Sequence, residues 1–315
     1  MEQLWFDSAD GVHRCAGYLW QPQDEVKGVV QIVHGIAEHM GRYHHFARYL
    51  NQHGYAVCGE DHLGHGKTGE AAGQFGYFAR HDGWTLVTAD VHAFRDQMGR
   101  RFPGVPYFLL GHSMGSFLTR TYLCRYPGTV DGAILSGTGQ ENALLVGAGK
   151  ALAWLIGHLR GFDAVSPLIH QLSLGGYNRQ FRPNRTTADW ISREESVVDA
   201  YLQDPFCTIT PTVGLYHDML GGLQYISSSR ALSQMDPNTP IYLFSGDQDP
   251  VGGNGAGVRK VYGYFQKHGT RDLKLKLYPG ARHELLNETN REEVYQDILS
   301  WLEARIQERG PTAAL

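Results

Sequence analysis

Residues 105–125 read VPYFLLGHSMGSFLTRTYLCR, and the parsing of this stretch decides the fold. Tyr107–Leu110 is a short apolar run of buried-strand length. Gly111-His112-Ser113-Met114-Gly115 follows with no turn spacer. Beyond it Phe117, Leu118, Tyr122 and Leu123 recur at helical spacing. Strand, sharp turn and helix is the setting in which G-x-S-x-G lifts a serine hydroxyl out of a strained backbone tip. Gly111 and Gly115 stand where the flanks of the turn approach and side chains would collide. The first helix amides then face whatever Ser113 attacks. The competing parse is a glycine-rich strand-to-helix turn in which Ser113 only caps the helix. Partners for the serine must decide between them.

Reading outward, Leu4–Phe6 and Val12–Trp20 form antiparallel strands around an Asp10-Gly11 turn. Gly28–Val33 is a nearly all-apolar strand that runs into His34-Gly35. A helix over Tyr43–Gln52 ends at Gly54, and Tyr55–Cys58 is the next strand. Trp84–Arg100 is a long helix and Val130–Ser136 a further buried strand. Helices alternating with apolar strands argue for a largely parallel sheet covered on both faces. Active residues of such sheets sit at the carboxyl ends of strands, where His34, Asp61 and Ser113 fall. The rhythm breaks at Gly137 and resumes near Pro240. Between these points Asp189–Gln203 reads as a helix capped by Asp189, with Ser192-x-x-Glu195 as a second candidate box. Val213–Ser229 reads as helical with a break at Gly221-Gly222. This interval is an inserted cap or a second small domain. Ile241–Ser245 and Leu273–Tyr278 return to strand. A last helix spans Arg291–Gln307 with an apolar stripe at Val294, Ile298, Leu302 and Ile306. Gly310–Leu315 reads as a loose tail.

A chain of 315 residues, 42% hydrophobic and 19% charged, buries a substantial core. A net charge of -4 gives no general affinity for nucleic acid. The acidic start lacks the pattern of a signal peptide, and no apolar stretch reaches spanning length. Cys15, Cys58, Cys124 and Cys207 are scattered, without zinc or disulfide-framework spacing. They read as buried thiols in a reducing, cytoplasmic compartment.

A serine hydroxyl needs a base, and the base a carboxylate. Ile241–Ser245 is followed by Gly246-Asp247-Gln248-Asp249-Pro250. Asp249 is the choice for the orienting acid, being farther from the strand and stiffened by Pro250; Asp247 reads as a turn acid. His283 follows the next strand, and the order Ser, Asp, His is the one a hydrolase sheet produces. Its neighbour Glu284 holds the loop or makes a salt bridge. The oxyanion hole requires fixed amides: Met114 after the serine, and Ile36 in the loop HGIAEH at 34–39. Glu38 and His39 read as bracing for that loop. The stretch DHLGHGKT at 61–68 superficially suggests phosphate binding, but its glycines do not have P-loop spacing. It reads as a tight structural loop in which His62 and His65 are local hydrogen-bond partners.

Taken together, HGIAEHMGRY at 34–43, DHLGHGKTG at 61–69, GHSMGS at 111–116, SGDQDPV at 245–251 and YPGARHE at 278–284 resemble the monoacylglycerol lipase and lysophospholipase branch of the α/β-hydrolases, also described as serine-aminopeptidase-like. The resemblance implies an α/β fold: a mostly parallel central sheet, helices on both faces and an inserted, mainly helical cap between the sixth and seventh strands. The core is then 1–136 with 237–315, and the cap 137–236. It implies Ser113 as nucleophile, Asp249 as acid because Gly246 opens a G-x-x-D pattern, His283 as base, and Ile36 with Met114 as oxyanion donors. Many relatives read GHSMGG, and here Ser116 replaces the second glycine. The implied activity is carboxylic-ester hydrolysis through an acyl-enzyme, on a monoacylglycerol or lysophospholipid, with no cofactor and no metal. An amidase or peptidase with the same triad, or a non-catalytic binding protein on this scaffold, are the alternatives. The apolar cap residues Leu144, Leu145, Val146, Leu152, Trp154, Leu155 and Ile156 either line an acyl channel, touch a bilayer peripherally, or pack the cap onto the core.

Overall fold

The protein is described from a computed structural model, of which residues 1–309 are described, so the tail expected at Gly310–Leu315 lies outside the described residues. The strands are β1 (Glu2–Asp7), β2 (Arg14–Trp20), β3 (Gly28–Val33), β4 (Tyr55–Glu60), β5 (Tyr107–His112), β6 (Gly132–Ser136), β7 (Ile241–Gly246) and β8 (Leu273–Tyr278). Among the described residues they form one 8-stranded sheet in the order β1-β2-β4-β3-β5-β6-β7-β8. β1 and β2 are antiparallel additions at one edge; from β4 across to β8 neighbours run parallel. Between β1 and β2 the Asp10 carboxylate accepts from the amides of Val12 and His13, which turns the chain.

The apolar runs form strands because both faces of the sheet are buried. In β5 Tyr107 and Leu109 enter one core while Phe108 and Leu110 enter the other. Helices α1 (His44–Gln52), α2 (Gly66–Ala72), α3 (Gly83–Arg101) and α4 (Met114–Arg125) fill the parallel crossovers. The first core takes Val87, Val91 and Phe94 of α3 with Leu118 and Tyr122 of α4. The second takes Phe46 and Leu50 of α1 and the predicted stripe Val294, Ile298 and Leu302, with Ile306 packed at its edge.

An inserted helical cap follows β6, carrying α5 (Ala143–Arg160), α6 (Pro167–Leu172), α7 (Glu195–Gln203), α8 (Val213–Tyr225) and α9 (Ser229–Leu232). Helix α10 (Ala256–Lys267) joins β7 to β8, and α11 (Arg291–Arg309) closes the described chain. Several sequence expectations are corrected here. Helix α7 starts at Glu195, not Asp189, because the Asp189 carboxylate turns back onto the amides of Arg185 and Thr186. Ser192 makes no capping box; its hydroxyl accepts from the Glu194 amide and donates to the Asn287 carbonyl. Helix α8 has no break at Gly221-Gly222. Gly222 is there because a Cβ would lie 2.2 Å from the indole of Trp84. Helices α2 and α10 were not foreseen, since glycines hide the pattern that buries Val258, Val261 and Phe265.

The four cysteines are buried and free. No helix among the described residues is long and apolar enough to cross a membrane.

Candidate active site

Parallel strands deliver Ser113 after β5, Asp249 after β7 and His283 after β8 to one edge of the sheet. Ser113 has φ 54 and ψ -122, the strained tip expected of the motif. The tightness around it is measurable. A Cβ on Gly115 would lie 1.9 Å from the Val33 carbonyl oxygen, and one on Gly111 2.5 Å from the Gly115 oxygen. Ser116 turns its hydroxyl back onto the Ser113 carbonyl at 2.6 Å and leaves the elbow intact.

His283 Nδ1 lies 2.9 Å from Asp249 Oδ1, and both side chains are buried. Asp249 is further held by the Ser245 hydroxyl at 2.9 Å and the Val251 amide at 2.9 Å. Burial alone would raise the Asp249 carboxyl; the His283 charge and these hydrogen bonds outweigh it and hold the acid below the usual range. Burial likewise opposes charge on His283, but the Asp249 carboxylate lifts the imidazole above an ordinary histidine. Asp247 accepts from the Gly280 amide of the loop after β8 at 2.8 Å, tying two loops together instead of closing a turn of its own. Ser113 and His283 line one small cavity together with Gly35, Ile36, Leu174, Trp190 and Tyr201. Its volume of about 20 Å³ holds a water, not an acyl chain.

The loop after β3 abuts the serine: a Cβ on Gly35 would lie 3.1 Å from Ser113 Cβ. Met114 is the first residue of α4, directly after the elbow. The Gly35 amide donates to Glu38 Oε1 at 2.5 Å, so Glu38 does brace this loop. Arg42 bridges Glu38 at 3.2 Å and Glu284 at 2.6 and 2.7 Å, which ties the loop to the residue beside His283. Burial raises the Glu38 carboxyl; Glu284 stays below its ordinary value because Arg42 overcomes its burial.

Three features of the site were not read from the sequence. Arg42 sits in a motif whose length hides its partner 242 positions away. Trp190 of the cap packs its ring 5.1 Å from that of His283, and its carbonyl accepts from the His283 amide at 3.4 Å. Glu60, at the end of β4, is fully buried beside His62. His62 is also not merely a local partner: its amide donates to His34 Nε2 at 3.0 Å, whereas His65 Nδ1 does bond locally, to the Leu63 carbonyl.

Of the cap residues, Val146 is buried, but Leu144 is 84% exposed, Leu145 62% and Leu155 50%. These three leucines neither pack the cap onto the core nor line the catalytic cavity, whereas Val146 and Ile156 pack inward.

His39, Asp204 and Cys207 place donor atoms within 4.8 Å of one another. Hydrogen bonds already account for two of them. His39 Nδ1 accepts from the Gly41 amide, so its proton is on Nε2, facing Asp204 Oδ2 at 2.9 Å. The other Asp204 oxygen accepts from the Phe206 amide. The group ties the loop after β3 to the cap.

Comparison with known proteins agrees with this architecture. The chain matches the family described as Serine aminopeptidase, S33 over residues 24–290. It is 30% identical over 292 residues to a monoacylglycerol lipase of Mycolicibacterium smegmatis, covering 90% of this chain and 91% of that one. It is 28% identical to the human monoglyceride lipase, covering 96% and 91%. Among solved structures, a thermostable carboxyl esterase from Bacillus coagulans in complex with glycerol superposes with a TM-score of 0.89 at 32% identity, covering 97% of this chain and 98% of that one. The chain therefore belongs to the serine aminopeptidase S33 family of α/β-hydrolases, among enzymes of the serine esterase and lipase type.

Proposed function

We propose that the protein hydrolyses carboxylic esters through an acyl-enzyme on Ser113, with residues 137–236 as its cap. His283 takes the proton as Ser113 attacks the carbonyl carbon. Asp249 holds the imidazole in the tautomer that presents Nε2 and stabilises the imidazolium once formed. The amides of Ile36 and Met114 receive the oxyanion. His283 then protonates the leaving alcohol and deprotonates the water that releases the acid. The observation that carries this reading is the 2.9 Å His283–Asp249 bond beside the strained Ser113.

The substrate class we favour is a monoacylglycerol or lysophospholipid, by similarity to the lipases above. A cavity of about 20 Å³ cannot take such a chain, so the cap must open. The stretch 188–193 is pinned to the core: Arg282 donates to the Asp189 and Ser192 carbonyls, and Arg193 Nε pairs with Glu288 at 2.9 Å. We place the opening at α6 and Leu174, where Leu174 walls the cavity and Leu168 and Leu172 are exposed. The exposed leucines of α5 and α6 suit contact with a lipid surface. An aminopeptidase reading needs a free carboxylate for the substrate ammonium. The two acids at the cavity wall, Glu38 and Glu284, are both bound to Arg42, which favours esters.

The test is a hydrolysis panel across acyl length and head group, run beside an amide of matched chain. Ser113→Ala should abolish turnover and fluorophosphonate labelling. Ester hydrolysis that survives this change refutes the mechanism.

A further inference from the structure

Beneath the loop after β3 lies a buried polar chain that the reaction chemistry leaves unused. Glu60, His62 and His34 are each 0% exposed. His34 Nε2 accepts from the His62 amide at 3.0 Å, so the His34 proton is on Nδ1, which donates to the Gly35 carbonyl at 2.8 Å. In a trans peptide the N–H points opposite the C=O. The bond to the Gly35 oxygen therefore fixes the direction of the Ile36 amide.

His62 Nε2 lies 3.3 Å from the His34 carbonyl oxygen. A carbonyl only accepts, so Nε2 carries the His62 proton and a neutral ring leaves Nδ1 as a lone pair. That lone pair faces Glu60 Oε1 at 3.3 Å, and neither atom has a hydrogen-bond partner of its own among the described residues. Glu60 Oε2 accepts from Gln31 Nε2 at 3.3 Å, as the carbonyl oxygen of a carboxylic acid would. Two acceptors facing each other in a dry interior are costly; one proton between them satisfies both.

We propose that Glu60 keeps a proton at neutral pH, donates it to His62 Nδ1, and through His62 and His34 sets the direction of the Ile36 amide. Glu60 is a positioning residue for the oxyanion hole. Its kinetic consequence rests on the ester-hydrolase reading; the proton on Glu60 does not.

Electrostatics puts the proton on the acid. Burial lifts Glu60 to about 8 and lowers His62 to about 4. The acids Asp61 and Asp90 and the thiols of Cys15 and Cys58 surround Glu60 from β2, β4, α3 and the loop after β4. His65 lies behind His62, itself neutral because burial lowers it to about 3. When Glu60 ionises, its anion meets the Nδ1 lone pair, His62 must turn away from it, and the bond to the His34 carbonyl loosens. Turnover should then fall on the alkaline side.

Glu60→Gln tests this because the amide donates to His62 Nδ1, accepts from Gln31 and cannot ionise. The infrared difference between wild type and Glu60→Gln at pH ~7 should show the carbonyl stretch of one protonated carboxylic acid in the wild type. With p-nitrophenyl butyrate, Glu60→Gln should keep wild-type kcat at neutral pH and lose the alkaline fall. Glu60→Met, which cannot donate, should lose about tenfold in kcat with KM little changed. If Glu60→Met does not fold, the infrared difference and the Glu60→Gln profile still decide. No carboxylic-acid band in the difference, or an alkaline fall unchanged in Glu60→Gln, overturns the proposal. Should Ser113→Ala retain hydrolysis, the ester reading fails instead, and the infrared result on Glu60 stands by itself.

Discussion

Arg42 holds Glu284 through two parallel bonds of 2.6 and 2.7 Å, and this pair joins the loop after β3 to the loop that carries His283. Arg42 also reaches Glu38, whose other oxygen takes the Gly35 amide. The two halves of the proposed chemistry, oxyanion binding and proton transfer, thus share one guanidinium. Planar bidentate geometry is what arginine supplies and lysine does not.

Arg42→Met should destabilise the protein by about 3 kcal/mol, because two buried carboxylates lose their cation. With Arg42 present, the folded-state pKa of Glu284 is depressed, so its contribution is present above the ordinary glutamate range and lost as pH falls. In the variant Glu284 is raised instead and Glu38, already raised by burial, loses the cation that opposed it, so the folded state gains protons relative to the unfolded one. The deficit should therefore be largest near neutral pH and shrink on acidification. Urea unfolding of both proteins from pH ~7 down to ~4.5 measures it; a deficit that does not change with pH counts against this account.

The Asp249–His283 bond makes a prediction about the acid limb of activity. His283 is lifted above the ordinary histidine value of 6.5 by Asp249 against the effect of its burial. Only the neutral ring accepts the serine proton, so kcat/KM should rise with pH through a midpoint above that value. Asp249→Asn removes the carboxylate and leaves the burial, which moves the midpoint below it. By analogy with the same change in serine proteases, kcat should drop about 10⁴-fold, since the imidazole is then held in the wrong tautomer. A pH–rate profile of each protein, with residual activity of Ser113→Ala as the floor, reads both effects.

The elbow depends on absent side chains. A Cβ at Gly115 would lie 1.9 Å from the Val33 oxygen and 2.5 Å from that of His34, and both are backbone atoms at the end of a central strand. Gly115→Ala must push the helix off the sheet or bend β3, moving the Met114 and Ile36 amides relative to Ser113. A fall of about 10²-fold in kcat is expected from such a displacement. Gly147 in α5 is the control. There a Cβ would meet only the Gln224 amide nitrogen at 3.8 Å, so Gly147→Ala should leave turnover unchanged and stabilise by about 0.5–1 kcal/mol. Thermal unfolding and steady-state kinetics on both variants separate strain from propensity.

What could be read from the sequence follows the range of the forces involved. The elbow and the strands are local: glycine spacing, apolar runs and helical periodicity lie within a few residues of each other. Asp249 and His283 became visible because parallel strands end at one edge, so position after a strand substitutes for distance. Arg42–Glu284 gave no local signal, being two charged residues in separate loops. Trp190 likewise reads as one aromatic in an irregular stretch. Glu60 fell beyond the strand read at Tyr55–Cys58, as a loop acid; only three-dimensional burial turns it into an acid that must keep its proton. In the cap, the sequence marked residues 144–156 as apolar, but neither that they belong to the helix α5 nor which of its faces meets protein. That depends on α8, whose Val213 and Tyr216 cover Ala153 and leave the leucines outside.

Those leucines make the last prediction. Leu144, Leu155 and Leu159 are 84%, 50% and 75% exposed, and they share α5. Replacing them with serine removes little packing, so stability should hold. If the face enters a lipid surface, each leucine lost there costs about 1.5 kcal/mol of binding, or roughly tenfold in partitioning. Hydrolysis of a monoacylglycerol carried in neutral phosphatidylcholine vesicles should fall with each substitution, while hydrolysis of a short water-soluble ester stays the same. Loss of both activities in parallel would mean that α5 acts on the site itself, through its packing on α8, and not through a surface on which the substrate resides.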